Sequence, residues 1–213
     1  MARLPKKYAH FDLSPKVVIF LCNFLIFAAH NSYAMQKDNS GEIFPIVNAE
    51  GRVIGSATRG ECHGGSKLLH PVVHLHLFNT RGELFLQKRP EWKDIQPGRW
   101  DTAVGGHIDF GEDTLSALRR EVREEIGITD FNPLLITSYI FRSDREREYV
   151  NVFATVSDTP PRPSDELDGG RFMTITEIDA AIGSRMFTPN FENEYLTVLR
   201  PWLTNRANQF FRQ

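Results

Sequence analysis

Apolar runs separated by turn-forming residues predict a series of strands along the chain after residue 35. Residues 72–78, VVHLHLF, are mostly apolar and predict a buried strand, and residues 78–86 predict a hairpin into a second strand. The same features predict further extended segments at residues 43–53 (a strand pair around Ala49-Glu50-Gly51), 134–141 and 149–156, and residues 100–106 follow a turn at Pro97-Gly98. Two of these, 134–141 and 149–156, should pair across a charged tip.

A helical pattern replaces the strand pattern between residues 114 and 126. Apolar residues at spacings of three and four predict one packed stripe: Leu115, Leu118, Val122 and Ile126. Asp113 or Thr114 can cap the start of this helix, and Gly127 can end it. Residues 175–182 and 192–203 also predict helices. Strands interrupted by helices on both faces indicate an α/β fold, an α/β/α sandwich with a mixed sheet.

Three glutamates of this helix indicate a metal-dependent reaction. Glu121, Glu124 and Glu125 share one face because a helix advances about 100° per residue. Such crowded carboxylates repel each other unless a hard cation such as Mg²⁺ shares their oxygens. Bound Mg²⁺ can bridge to phosphates and activate water, which is the chemistry of diphosphate hydrolysis. The alternative is a solvated acidic face with Arg120 and Arg123 as ion-pair partners.

Composition and charge limit the remaining classes. With 213 residues, 41% of them hydrophobic and 24% charged, the chain can form one ordinary globular core. A formal charge of −2 gives no basic field, so we expect no nucleic-acid partner. Cys22 and Cys62 are too few for a disulfide framework.

The first 34 residues differ from the rest. Lysines precede an apolar run at residues 17–29, and Ser32-Tyr33-Ala34 follows, which is typical of a secretory signal peptide. The run is too short to span a bilayer comfortably, so we expect no stable membrane span. Two alternatives are that the true start is Met35 and that the segment is a membrane-surface helix.

We therefore divide the chain into an N-terminal extension, residues 1–34, which is signal-like or precedes the true start, and a single domain, residues 35–213. If the protein starts at Met35, we expect a cytoplasmic location, and we favour this reading. If residues 1–34 are a true signal peptide, we expect a secreted or periplasmic protein.

Residues 106–128, GHIDFGEDTLSALRREVREEIGI, match the Nudix signature at all its specified positions, and the chain resembles a Nudix hydrolase. The resemblance implies the Nudix fold with its catalytic loop-helix-loop. It also implies that Mg²⁺ or Mn²⁺ is bound by the backbone of Gly106 and by Glu121, Glu124 and Glu125. The catalytic residues would be Glu124, Glu125 and Arg120, with one of the two glutamates as the base. Nudix proteins are often dimers, so a homodimer is compatible with it.

A closer resemblance extends from about residue 44 to residue 189, where LLHPVVHLHLFNTRGELFLQKRPEWKDIQPGRWDTAVGGH is similar to isopentenyl-diphosphate isomerases. It implies a second metal site formed by His63, His70, His107, Glu146 and Glu148. Imidazole and carboxylate ligands together suit Zn²⁺ or Mn²⁺. The alternative is that His70 and His107 are core or turn histidines and that Glu146 and Glu148 belong to a solvated hairpin edge.

The same resemblance assigns substrate diphosphate binding to Arg89, Lys93 and Arg59. A guanidinium and an ammonium both suit a diphosphate. The alternative is that the basic residues of this region only make a loop soluble.

The chain departs from the isomerases at three places. Gly105 replaces the cysteine that they use for proton transfer at carbon, and Asn190 falls near the position of a tryptophan that faces their carbocation. All three glutamates of the Nudix signature at residues 106–128, which we call the box, are present, whereas the isomerases retain one. We therefore predict metal-dependent cleavage of a nucleoside diphosphate linked to a group X, or of a related organic diphosphate. An isomerase-like enzyme and a non-catalytic nucleotide-binding module are the alternatives.

Overall fold

The computed structural model of the chain describes residues 39–93 and 96–211, without the side chains of residues 206–209. The predictions for residues 1–34 lie outside these ranges. Each helix in the described ranges is too short or too polar to cross a lipid bilayer.

Nine strands lie within the described residues: β1 Ile43–Val47, β2 Val53–Thr58, β3 Leu69–Phe78, β4 Leu84–Lys88, β5 Trp100–Asp101, β6 Val104–His107, β7 Leu134–Arg142, β8 Arg147–Val156 and β9 Gly170–Met173. Strands β1 and β2 form an antiparallel pair of their own. The other seven form one sheet with the order β5-β4-β3-β8-β7, in which β6 pairs with β3 and β9 with β4. The sheet is mixed because β3 and β8 are parallel, whereas its other pairs are antiparallel.

The helices of the described chain are α1 Arg59–Glu61, α2 Thr114–Ile126, α3 Ile175–Ala181, α4 Pro189–Glu194 and α5 Arg200–Phe210, with π-helical turns at Cys62–Ser66 and Tyr195–Leu199. Asp113 caps the start of helix α2, because its side chain accepts from the N–H groups of Leu115 and Ser116. Gly127 caps the end of the helix with a left-handed φ of 68°, a conformation that suits glycine.

Helices cover both faces of the large sheet. On one face, Val73 and Leu75 of β3 pack against Leu118 and Val122 of α2. On the other face, Phe78 of β3 lies in a cluster with residues of α4 and α5. Full burial of a leucine such as Leu118 stabilises the fold by about 2 kcal/mol. Several buried side chains of this kind hold each helix layer against the sheet. This arrangement confirms the α/β/α sandwich.

Most predicted elements are confirmed, with corrections at their edges. Leu115 was expected in the apolar stripe of α2 but is 48% exposed, and Ala117 is buried instead. The small side chain of Ala117 lets the helix backbone approach the sheet. The helix predicted at residues 192–203 starts earlier, at Pro189 after the cap Thr188, and reaches Phe210 after a π-helical turn. Strand β9 was not predicted.

Candidate active site

Helix α2 presents its glutamates to strand β6. A Cβ atom at residue 106 would overlap the carboxyl group of Glu121, so this position accepts only glycine while Glu121 stays in place. The predicted ligands Gly106 and Glu121 are therefore in direct contact. Glu125 lies one turn further along the same helix face.

Arg120 links the loop before α2 to the helix glutamates. Its guanidinium donates to Glu112 at 2.9 Å, to Glu121 at 2.7 Å and to the backbone carbonyl of His107 at 2.9 Å. Glu124 lies 3.5 Å from the same group. These carboxylates raise the pKa of Arg120 above its ordinary value. Arg120 thus holds the loop and the predicted ligand Glu121 in one arrangement.

Burial acts on two of the three box carboxylates. It raises the pKa of Glu121, against the effect of the nearby Arg120. Burial, together with the charge of Glu121, raises the pKa of Glu125 to about 8. The ionised form of Glu125 is favoured by donors, the backbone N–H of Gly105 and Nε2 of Gln87 at 3.2 Å. Such partly desolvated, mutually repelling carboxylates are a suitable environment for a divalent cation.

The five residues predicted as a second metal site lie together. Ligand atoms of His63, His70 and His107 are within 4.8 Å of one another, and so are those of His70, Glu146 and Glu148. Nδ1 of His63 also lies 3.6 Å from Glu146. His70 is common to both groups, so the structure brings all five predicted residues into one cluster.

The protonation state of the histidines fits metal binding. Nδ1 of His70 donates a hydrogen bond to the carbonyl oxygen of Leu68 at 3.1 Å. Its Nε2 is buried without a hydrogen-bond partner among the described residues. Burial lowers the pKa of His70, and burial together with Arg59 lowers the pKa of His107. Neutral imidazoles have a free lone pair, and a partner on the second ring nitrogen orients it. This donor set fits Zn²⁺ or Mn²⁺.

The two candidate metal sites lie on opposite faces of the sheet. Because side chains alternate along a strand, Gly106 faces α2, whereas Gly105 and His107 face the other side. On β3 the residues between the histidines, Val73 and Leu75, belong to the core under α2. Strand β6 therefore contributes to both sites through adjacent residues.

A buried network near the histidine cluster was not predicted. Glu194 of α4 is 1% exposed and accepts from Nδ1 of His74 at 2.8 Å and from Nε2 of His76 at 2.8 Å. The Tyr139 hydroxyl donates to it at 2.7 Å. Because side chains alternate along a strand, the histidines at residues 70, 74 and 76 lie on the same face. This spacing in the sequence could have indicated the network.

The three predicted diphosphate-binding cations have different surroundings. Arg89 lies 3.5 Å from Asp101, and Nζ of Lys93 lies 4.9 Å from the ring centre of Trp92. Arg59 pairs with Glu42 at 3.2 Å and lies over the ring of Phe44. The ring of Phe44 in turn stacks on the ring of His107, with 4.4 Å between the ring centres. Arg59 is therefore next to the histidine cluster.

Comparisons with known proteins agree with this geometry. A model of the NUDIX domain matches residues 68–191. An uncharacterized Nudix hydrolase of Pseudomonas aeruginosa, PA4841, is 33% identical over 141 residues, which cover 66% of this chain and 83% of that protein. An isopentenyl-diphosphate Delta-isomerase of Mycolicibacterium vanbaalenii is 35% identical over 103 residues, or 47% of this chain and 57% of the isomerase. The crystal structure of DR0079 from Deinococcus radiodurans aligns with a TM-score of 0.58 and 26% identity, over 67% of this chain and 90% of that one.

Proposed function

The chain belongs to the Nudix hydrolase family, and on that basis we propose that it cleaves, with a divalent metal, the diphosphate linkage of a nucleoside diphosphate derivative or a related organic diphosphate. The observation that supports this most directly is the complete box. Glu121, Glu124 and Glu125 lie on one helix face, and Glu121 is packed against Gly106.

In this proposal each box residue has its own task. The carboxylates of Glu121 and Glu125, with the backbone of Gly106, would hold Mg²⁺ or Mn²⁺. The bound cation would polarise the diphosphate and lower the pKa of a water molecule. Glu124 is 52% exposed and therefore accessible to water, so we assign it as the proton acceptor as well as a ligand. Arg120 keeps Glu121 and Glu124 in position.

The other predicted residues complete the proposal. Arg89, Lys93 and Arg59 would bind the phosphate oxygens, and a second divalent ion such as Zn²⁺ or Mn²⁺ would be held by the histidine cluster. Organic diphosphates are mainly intracellular metabolites, so the proposal includes a cytoplasmic location.

Phosphorus NMR with a panel of nucleoside diphosphate derivatives and Mg²⁺ or Mn²⁺ tests this function. We expect release of phosphate or a nucleoside monophosphate, and Glu124→Gln should slow it by about 10²- to 10⁴-fold. Glu50→Gln, in an exposed turn, is the control. If the parent protein binds diphosphates but cleaves none of them, a non-catalytic nucleotide-binding module is the better account.

A second candidate is an isomerase-like activity, which is favoured by the cluster of three histidines and two glutamates. Gly105 and Asn190 are against it, because neither offers the thiol or the aromatic ring of those enzymes. Incubation with isopentenyl diphosphate separates the two candidates. Double-bond migration without cleavage would favour the isomerase, and cleavage without migration would favour the hydrolase.

A further inference from the structure

Gln87 is a buried amide on the same side of the sheet as the box. It is 7% exposed and lies on strand β4. Along this strand Leu84 and Leu86 belong to the cluster with α4 and α5, whereas Phe85 belongs to the core under α2. Because side chains alternate along a strand, Gln87 faces α2 as Phe85 does. Its Nε2 atom donates a hydrogen bond to Oε2 of Glu125 at 3.2 Å.

Two strands hold the carboxylate of Glu125. Gln87 donates to it from β4, and the backbone N–H of Gly105 donates to it from β6. A carboxylate has about four lone-pair positions, so two donors leave positions for a cation. Two donors at different places also fix the plane of the carboxylate, which a single donor cannot do. The orientation of Glu125 therefore does not depend on the helix alone.

Glu125 differs from the other two box glutamates in its charged neighbours. Glu121 and Glu124 lie 2.7 Å and 3.5 Å from the guanidinium of Arg120. Glu125 forms no ion pair with a lysine, arginine or histidine of the described ranges, and its side-chain partner is the neutral amide of Gln87. An amide supports a carboxylate without neutralising it. The charge of Glu125 is therefore available to a cation.

The basic side chains next to Gln87 in sequence pair with other carboxylates. Nζ of Lys88 lies 3.3 Å from Asp168, and the guanidinium of Arg89 lies 3.5 Å from Asp101. A basic side chain at position 87 would form an ion pair with Glu125 and compete with a bound ion. The neutral donor at this position is thus compatible with a metal site, whereas a basic one would oppose it.

We propose that Gln87 is a positioning residue for the cation of the box: its neutral hydrogen bond holds the carboxylate of Glu125 in place and leaves the negative charge to the ion. The proposal rests on the proposed function in so far as the box holds a divalent cation. Binding of the ion can nevertheless be measured without turnover.

Two substitutions separate the hydrogen bond from the charge. Gln87→Met keeps the length of the side chain and removes the donor, whereas Gln87→Lys keeps a donor and adds a positive charge. Both are made in a His63→Gln background, which is chosen to keep the histidine cluster from contributing a second ion. Paramagnetic resonance of Mn²⁺ should show that each substitution weakens binding at the box about 10- to 100-fold.

Thr155→Val is the matched control. The Thr155 hydroxyl is buried and donates to the carbonyl oxygen of Asn132 at 3.0 Å, so this variant also loses one buried hydrogen bond. Thr155→Val and Gln87→Met should lower Tm by a similar amount, about 2–4 °C, but Thr155→Val should keep the Mn²⁺ affinity within about twofold of the reference. A folded Gln87→Met or Gln87→Lys protein with the reference affinity would overturn the proposal, and so would a reference protein that binds no Mn²⁺.

The side-chain amide of Gln87 gives a second measurement, in the parent protein. The full chain has five glutamines, so an NMR spectrum with ¹⁵N in the glutamine amides has few signals. The Gln87 signal, identified by its loss in Gln87→Met or Gln87→Lys, should shift when Mg²⁺ binds, and Glu121→Gln should abolish this shift. Bound Mg²⁺ with an unmoved Gln87 signal would contradict the proposal.

Turnover measured in parallel distinguishes this proposal from the proposed function. Loss of Mn²⁺ affinity in Gln87→Met, with no turnover of any diphosphate by the parent protein, would refute only the hydrolase function. Turnover by the parent protein, with unchanged Mn²⁺ affinity in Gln87→Met, would refute only the role of Gln87.

Discussion

Nε2 of His63 lies 3.0 Å from Nε2 of His107. Two ring nitrogens at this distance repel each other unless a proton or a cation lies between their lone pairs. His70 belongs to the same cluster. Its Nε2 atom is buried and has no hydrogen-bond partner among the described residues. We propose that these three imidazoles share a cation and are not three independent core histidines.

We predict that the protein binds about two divalent ions per chain, one at the box and one at the histidine cluster. His63→Gln should remove the second ion and Glu121→Gln the first. Equilibrium dialysis followed by elemental analysis measures the number of ions bound. If His63→Gln left the number unchanged, the histidine cluster would not be a metal site.

Gly106 and Gly105 give a matched pair of substitutions for the box. Gly106→Ala should displace the Glu121 carboxyl group, weaken Mn²⁺ binding at the box and destabilise the fold by about 1–3 kcal/mol. Gly105→Ala should leave Mn²⁺ binding unchanged, because its Cβ meets only ordinary contacts. Paramagnetic resonance of Mn²⁺ and thermal unfolding measure both effects. Equal Mn²⁺ affinity in the two variants would argue against Gly106 as part of the site.

The sequence predicted the box better than the environment around it. Helix α2 has local signals at both ends, Asp113 and Gly127, and its glutamates have a fixed helical spacing. The exposure of Leu115 depends on where the helix meets the sheet, which local periodicity does not contain. The bond between His74 and Glu194 joins residues 120 apart, so it follows from the tertiary fold and not from either local pattern. Strand β9 has only four residues, too few for a clear alternation.

Catalysis should be sensitive to replacement of Arg120 even when the positive charge is kept. Lysine cannot reproduce the forked contacts of Arg120 with Glu112 and Glu121. Arg120→Lys should therefore lower kcat/KM on a cleaved diphosphate by about 10- to 100-fold. Arg123→Lys is the control, since that side chain is 59% exposed, and it should stay within about twofold of the parent. Steady-state kinetics would contradict the role of Arg120 if both variants behaved alike.

The pair of His74 and Glu194 should make stability depend on pH. Burial alone would lower the pKa of His74, but Glu194 raises it to about 9, compared with 6.5 in the unfolded chain. Because the folded value is the higher one, the stabilisation is complete below pH 6.5 and is lost as the pH rises through 9. Its size is about 3 kcal/mol.

Urea unfolding of the parent and of Glu194→Gln measures this effect. The difference in unfolding free energy between the two proteins should be larger at pH 6 than at pH 9.5. The other titratable groups that face this pair are Glu148 and Asp101 near His74, and His76 and Tyr139, which bond to Glu194. A difference that did not change with pH would contradict an ionised pair.

The most direct test of the hydrolase function is phosphorus NMR of the nucleoside diphosphate panel with Mg²⁺ in ¹⁸O-enriched water. Attack of water on phosphorus breaks a P–O bond and leaves the solvent oxygen on one phosphate product. We predict an isotope-shifted phosphate signal with the parent protein and its loss with Glu124→Gln. Solvent oxygen found only on a carbon atom, which would mean that a C–O bond was broken, or no cleavage of any diphosphate, would contradict hydrolysis at the box.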